Sequence, residues 1–158
     1  LSINLGEVEI MEPFSDVQKN EISKILKVFG FELIDDKKSK TIDKIKTVII
    51  DLVQNKNNDL KINLSNYLSQ ELHQDYNTLS NLFSEVENTT IEKYFINQKI
   101  EKVKELIMYD ELSLSEIAYS LNYSTVSHLS NQFKKVTGFS PTYFKNIKTI
   151  KRKQIEDL

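Results

Sequence analysis

Side chains able to do chemistry are concentrated in the C-terminal third of the sequence. Ser127, His128, Asn131, Lys134 and Lys135 recur at spacings that place them on one face of a helix. An Asn amide can form two hydrogen bonds with the edge of adenine, and a Lys holds phosphate as a point charge. These groups suit contact with a nucleic acid, but on an isolated helix such a face is more often a solvated surface.

Residues that could support catalysis or metal binding are not grouped in the sequence. There is no Cys, and His128 has no second ligand at a suitable spacing, since His73 lies in a distant turn. The carboxylate pairs at positions 35–36 and at Glu85 and Glu87 have no neighbouring His or Ser, and no Gly-rich phosphate loop occurs. We therefore expect no enzyme activity, no metal site and no cofactor. The lack of Cys fits a reducing, cytoplasmic location.

Charge is distributed unevenly along the 158 residues, whose formal net charge is -2. Residues 61–110 carry five basic and eight acidic side chains, whereas residues 111–153 carry seven basic and two acidic ones. The basic end suits a polyanionic partner, and no apolar run is long enough for a membrane span.

The helices that must position these side chains appear as an internal repeat. Residues from Leu64 align without gaps on residues from Leu114, fifty positions later, and seven of the aligned pairs are identical. Each copy reads as a helix of about eight residues, a turn of three or four, and a helix of about twelve, which is the form of a helix-turn-helix. The first helix of the repeat leaves open whether Leu68 or Ser69 is equivalent to Ala118.

The second copy predicts its own turn and core. Asn122 suits a left-handed backbone at the turn, Ser124 suits the N-cap of the next helix, and Gly138 suits its end. The residues expected to point inward are Ile117, Ala118, Leu121, Val126, Leu129, Phe133 and Val136. Between the copies, a linker helix from Ile91 to Tyr109 has an apolar stripe of Ile91, Phe95, Ile100, Val103 and Ile107. We also expect Tyr94, Phe95, Tyr143 and Phe144 to be core residues.

The segment LSLSEIAYSLNYSTVSHLSNQFKKVTGFSPTYFK resembles the C-terminal signature of AraC-type transcription factors. The elements most specific to the family are the sequence EIA at 116–118, the sequence FKKVTGFSP at 133–141 and the aromatic pair Tyr143-Phe144. The resemblance covers about Ile42 to Lys148 and implies a mainly α fold, with two helix-turn-helix units joined by the linker helix. It implies a sequence-specific regulator with recognition helices at about 76–87 and 125–137 in the major groove of DNA, in a domain spanning 41–150, followed by a tail at 151–158.

The sequence departs from this family pattern in two ways, one of which concerns the reading of bases. The family often has Arg where this sequence has Asn81 and Asn131, and Gly where it has Asn122. Arg is the usual reader of guanine, so its replacement by Asn shifts the expected preference towards adenine.

The resemblance and the exposed spacing together predict the DNA-contacting residues. They are Asn77, Thr78, Ser80, Asn81, Ser84, Thr125, Ser127, His128, Asn131, Lys134, Lys135 and Lys145. The expected partners are double-stranded DNA and, for an activator, RNA polymerase. The alternative is a protein-interaction module that keeps the helix-turn-helix fold without binding DNA, which the acidic first half and the missing Arg residues favour.

The first 36 residues predict a small α+β segment. Two alternating strands precede a helix with Ser15 as N-cap and Gln18 in a capping box, and a short strand follows at 31–34. The order resembles the last part of a ferredoxin-like heavy-metal-associated domain, whose metal-binding cysteines would lie before Leu1. Because the sequence opens without Met, we expect a truncated segment. A further helix is expected from Thr41 to Gln54.

Overall fold

The computed structural model describes residues 2–4, 7–9, 15–31, 33, 36–56 and 62–147. The chain divides into two units, Leu1–Lys37 and Lys38–Leu158. The predicted tail at 151–158 lies outside the described residues. None of the described helices is long and apolar enough to cross a membrane.

Among its described residues, the first unit contains a pair of strands and the helix α1 (Asp16–Val28). Strand β1 (Ser2–Asn4) pairs antiparallel with β2 (Glu7–Glu9). Helix α1 begins at Ser15, whose hydroxyl accepts the Gln18 N–H while the Gln18 side chain accepts the Ser15 N–H. The predicted capping box is therefore confirmed.

The strand predicted at 31–34 is wrong for the two of its residues that are described. The Phe31 N–H donates to the Leu26 carbonyl at 2.9 Å, closing the end of α1, with Gly30 left-handed at φ 79°. Phe31 and Leu33 are both exposed and lie in no strand, while Glu32 and Ile34 lie outside the described residues. The ferredoxin-like assignment of residues 1–36 therefore stays a prediction.

The second unit is helical, as the sequence predicted. Its helices are α2 (Asp36–Gln54, which starts at the unit boundary), α3 (Leu64–Leu72), α4 (Tyr76–Glu87), α5 (Ile91–Tyr109), α6 (Leu114–Ser120), α7 (Val126–Thr137) and a further helical segment at 141–147. Helix α2 begins five residues before the predicted Thr41. The added residues are mostly polar, so apolar periodicity does not mark them.

The repeat is preserved in three dimensions. Asn63 and Ser113 cap the first helix of each copy, and Asp75 and Thr125 cap the second, so equivalent caps are fifty positions apart. Leu68 is fully buried, as its ungapped counterpart Ala118 nearly is. The gapless alignment therefore extends through the first helix, which resolves the choice between Leu68 and Ser69.

Each copy has its own hydrophobic core, and the linker helix α5 contributes to both. The first core is formed by buried residues of α2, α3, α4 and the start of α5, namely Ile42, Ile45, Ile49, Leu68, Leu79, Phe83 and Ile91. The second is formed by α5, α6, α7 and the turn between the last two, namely Ile100, Val103, Ile107, Ile117, Ala118, Leu121, Tyr123, Leu129 and Phe133. Helix α5 therefore packs against both helix-turn-helix copies, called here the first and second modules, and connects them.

Two adjacent Ile residues of α2 allow a matched test of the first core. Ile49 is fully buried and Ile50 is 41% exposed. We expect Ile49→Ala to lower the free energy of unfolding by about 2–5 kcal/mol, because it leaves a cavity in the first core. Ile50→Ala should change it by about 0.5 kcal/mol. Urea denaturation measures both, and equal losses would contradict the assignment of α2 to this core.

Candidate nucleic-acid interface

Helix α7 is positioned by a turn whose backbone conformation was predicted from the sequence. Asn122 is left-handed at φ 55°, as predicted. The helix begins because the Thr125 hydroxyl accepts the His128 N–H at 3.0 Å, and it ends at left-handed Gly138. The predicted cap at Ser124 is therefore wrong by one residue. The Ser124 hydroxyl instead lies 3.2 Å from Nδ1 of the His128 ring.

The outer face of α7 carries the polar side chains that the spacing predicted. Leu129 and Phe133 are fully buried on its inner face. The exposed residues are Thr125, Ser127, His128, Asn131, Lys134 and Lys135. Val136 was predicted to point inward, but it is 41% exposed. Phe144 instead covers Phe133 near this end of the helix, with ring centroids 5.6 Å apart.

Helix α4 presents an equivalent face with different charge. Leu79 and Phe83 are buried behind it, while Asn77, Thr78 and Asn81 are exposed, and Ser80 and Ser84 are half-buried. The Asp75 carboxylate caps this helix by accepting the Thr78 N–H at 3.2 Å. At α7 the cap is a neutral group, the Thr125 hydroxyl, which accepts the His128 N–H. The start of α4 is therefore less favourable for phosphate than the start of α7.

The acidic end of α4 is neutralised by α2. Lys38 Nζ lies 3.2 Å from a Glu85 carboxylate oxygen, and Lys46 Nζ lies 2.7 Å from Glu87. At the position of Lys135, fifty residues earlier, the first copy has Glu85. The outer face of α4 thus offers neutral polar groups and a paired acid, whereas that of α7 offers two lysines.

The helical segment 141–147 contains the remaining predicted contact. Lys145 Nζ lies 2.5 Å from Asp110 Oδ1, which joins this segment to the end of α5. Tyr143 was expected in the core, but it is 51% exposed and stacks on Phe139 with ring centroids 5.4 Å apart. The neighbouring Phe144 is partly buried against the second core, as expected.

Three residues that the sequence reasoning missed join α5 to α7. The Tyr123 ring is buried, meets the His128 ring edge-on at 5.3 Å, and its hydroxyl donates to Gln132 Oε1 at 2.7 Å. Lys99 Nζ lies over the face of the same ring, 3.7 Å from the centroid. These contacts connect the linker helix to the outer edge of the second recognition helix.

Lys99 is a buried cation. Its exposed fraction is 7%, and no carboxylate among the described residues forms an ion pair with it. Burial lowers its pKa to about 8, while the Tyr123 ring and the more distant Phe95 ring favour the charged form. The sequence did contain a signal for this burial: Lys99 lies four residues after Phe95 and four before Val103, on the apolar side of α5.

The described residues contain no cluster of three His, Cys, Asp or Glu side chains suited to a metal ion. The chemistry they do present is an exposed set of amide, hydroxyl, imidazole and ammonium groups on two helices of similar length.

Comparisons with known proteins agree on the family and the fold. The helix-turn-helix domain family matches residues 68–147. No curated protein sequence gives a significant match. Among solved structures, the chain is similar to the C-terminal domain of AraT, a response regulator from Geobacillus stearothermophilus, with 22% identity and a TM-score of 0.59 over 68% of this chain and 84% of that one.

Two other structures are similar over most of their length. The C-terminal domain of the two-component response regulator yesN from Fusobacterium nucleatum shows 25% identity and a TM-score of 0.55, over 65% of this chain and 98% of that one. The DNA-binding domain of the global transcriptional factor AdpA, solved in complex with a target DNA, shows 14% identity and a TM-score of 0.57, over 76% of this chain and 99% of that one.

The buried charge of Lys99 predicts an unusual dependence of stability on pH. Its folded pKa of about 8 lies below the ordinary 10.5, so between these values the unfolded chain binds more protons and stability rises with pH. Lys99→Met should therefore be more stable than the wild type at pH 7, by at most about 3 kcal/mol, because the lost cation–π attraction offsets part of the gain.

Urea denaturation at pH values from 7 to 10 measures this difference. The gap between Lys99→Met and the wild type should shrink as the pH rises. The matched control is Lys93→Met, which alters an exposed lysine of the same helix and should show little gap at any pH. A gap for Lys99→Met that does not vary with pH would contradict the buried charge.

Proposed function

Because this chain belongs to the AraC-type helix-turn-helix domain family of DNA-binding transcription regulators, we propose that it binds duplex DNA with both of its modules. Helices α4 and α7 each enter the major groove. The observation that supports this most directly is the exposed polar face of each helix, backed by equivalent buried residues: Leu79 and Phe83 in one, Leu129 and Phe133 in the other.

The second module combines base reading with phosphate binding. Thr125, Ser127, His128 and Asn131 occupy the first part of α7 and its cap, which is the part of a recognition helix that reaches base edges. Lys134 and Lys135 follow in its last turn and hold phosphates. Lys145, which forms an ion pair with Asp110 in the free chain, exchanges that partner for a phosphate. The Asn131 amide is the candidate for bidentate pairing with adenine.

The first module reads bases with little help from charge. Asn77, Thr78, Ser80, Asn81 and Ser84 supply neutral donors and acceptors along α4. This helix contains no Lys or Arg, and its two acids are paired with α2. Its contacts favour a particular sequence but add little general attraction to DNA.

The length of α5 suits two adjacent segments of the same groove. Its 19 residues correspond to about 28 Å of helix. Successive major-groove segments on one side of B-DNA are roughly 34–36 Å apart. Recognition helices held at the two ends of a rigid linker of this length can approach both segments from one face of the duplex.

The cellular location, a further partner and the domain bounds are part of the same proposal. We propose a cytoplasmic location, with RNA polymerase as a further partner if the effect is activation. We also propose a DNA-binding domain at 41–150, a partial ferredoxin-like segment at 1–36 and a tail at 151–158.

A mobility-shift assay on random duplex at low salt, followed by selection of bound sequences from a randomised pool, tests the proposal. Binding with a defined two-part site supports it. Lack of binding by a folded protein would contradict it and favour the alternative, a protein-interaction module with the same fold. Glu85 favours that alternative, because the second module has a lysine, Lys135, at the equivalent position.

Asn131→Ala and Lys135→Ala should have different effects on binding. Asn131 reads one base edge, so its loss should relax preference at one position, by on the order of 1–3 kcal/mol. Lys135 interacts with phosphate, so its loss should weaken binding to all duplexes alike. Selection with each variant makes the comparison. Recovery of the wild-type site by Asn131→Ala would remove Asn131 from the base readers.

The two modules should also differ in their share of the salt dependence. Charge reversal at Lys134 and Lys135 should nearly abolish binding and flatten the log–log salt slope, which changes by about 0.9 for each phosphate contact. Asn77→Ala with Asn81→Ala should instead narrow the footprint and leave the slope nearly unchanged. Equal changes of slope from the two double variants would contradict this division.

A further inference from the structure

The side chain of Gln132 lies at the edge of the proposed DNA-reading face. It is half-buried and follows Asn131 on α7, on the same side of the helix as His128. Its carbonyl oxygen Oε1 accepts a hydrogen bond of 2.7 Å from the Tyr123 hydroxyl. Because one end of the amide is held by a buried ring, the orientation of the other end is defined.

A Gln amide has two different hydrogen-bonding ends. The carbonyl oxygen accepts, and the NH₂ group donates twice. Unconstrained, the amide can turn over and present either end to a base. With Oε1 turned towards Tyr123, the NH₂ group is the end that remains for an outside partner. A fixed donor group discriminates between base edges, whereas a group that rotates accepts several of them.

The Tyr123 ring is itself held from two sides. The Lys99 ammonium lies over its face at 3.7 Å from the centroid, and the His128 ring packs against it edge-on. Tyr123 is 7% exposed and belongs to the second core, so its ring is held in place by packing. Lys99 belongs to the linker helix α5, so the linker contributes to the position of a side chain on α7.

The first module has no equivalent of this arrangement. At the positions corresponding to Tyr123 and Gln132, fifty residues earlier, the sequence has His73 and Leu82. His73 is exposed and left-handed at the end of α3, and Leu82 packs against the first core. The arrangement is therefore specific to the second recognition helix and is not a requirement of the fold.

We propose that Tyr123, held by Lys99, is a positioning residue that fixes the amide of Gln132 with its NH₂ group outward, which makes Gln132 a specificity-determining residue for a base edge rich in acceptors. Guanine is the base whose major-groove edge offers two acceptors, O6 and N7. The second half-site then contains a guanine beside the base read by Asn131. This inference rests on the proposed DNA-binding function and adds a base preference to it.

Selection from a randomised duplex pool tests the proposal with variants of the whole chain. Tyr123→Phe removes only the hydroxyl, and Gln132→Leu installs the residue of the first module. Both should lower discrimination for guanine at the same single position by about fivefold or more, and leave the salt slope of binding unchanged. Tyr94→Phe, which removes a hydroxyl from a half-buried ring of α5 on the first core, is the matched control and should retain the preference.

Variants of Lys99 test the contribution of the linker helix. Lys99→Arg keeps a cation over the ring and should retain the guanine preference, whereas Lys99→Met should relax it while the fold stays stable. Unchanged preference in Tyr123→Phe, or an equal loss at every position of the site, would overturn the proposal. Unchanged preference in Lys99→Met would overturn the part assigned to Lys99.

An NMR measurement on the free protein separates this inference from the proposed function. The side-chain NH₂ resonances of Gln132 should shift in Tyr123→Phe and stay in place in Tyr94→Phe. If they shift but the wild type binds no DNA, the proposed function fails and the contact between Tyr123 and Gln132 stands. If the wild type binds DNA selectively and they do not shift, the positioning role alone is overturned.

Discussion

Burial of the linker helix α5 in two cores is the constraint on which the second unit depends. Ile91 at its start is enclosed by α2, α3 and α4, while Ile100, Val103 and Ile107 are enclosed by α6 and α7. A helix packed at both ends cannot rotate in one core without disturbing the other. The two recognition helices therefore keep a defined relation through one continuous set of backbone hydrogen bonds, without any direct contact between them being required.

The separation of α4 and α7 into a buried inner face and an exposed outer face explains why each module can carry a different chemistry. The cores are filled by residues on the inner faces of α4 and α7, and the outer faces contribute little to either core. The exposed positions are thus free to differ: Glu85 stands in one copy where Lys135 stands in the other. Helix α2 accommodates the acidic version by placing Lys38 and Lys46 beside it, so the negative charge of the first copy is compensated by ion pairs from outside the repeat.

Much of the fold and the outer polar faces could be predicted from the sequence, because helical periodicity and the repeat state which side of each helix is apolar. The bounds of α5 and the left-handed Asn122 were predicted in this way. Two of the errors occurred at helix ends, where neighbouring residues offer competing local hydrogen bonds. Phe31 satisfies its N–H at the end of α1 and not in a strand, and Thr125 caps α7 in place of Ser124. Lys99, Tyr123 and Gln132 were missed because their relation is a contact between helices, which spacing along one helix does not report.

The order of the helices in the chain also has a consequence for how the second unit folds. In the second core, α5, α6 and α7 follow one another with short turns, so bringing them together costs little chain entropy. The first core must in addition recruit α2, and the pair Lys38–Glu85 closes a loop 47 residues long. Contacts between near neighbours form early, and distant ones form later. The docking of α2 therefore carries the larger loop-closure cost in the folding of this unit.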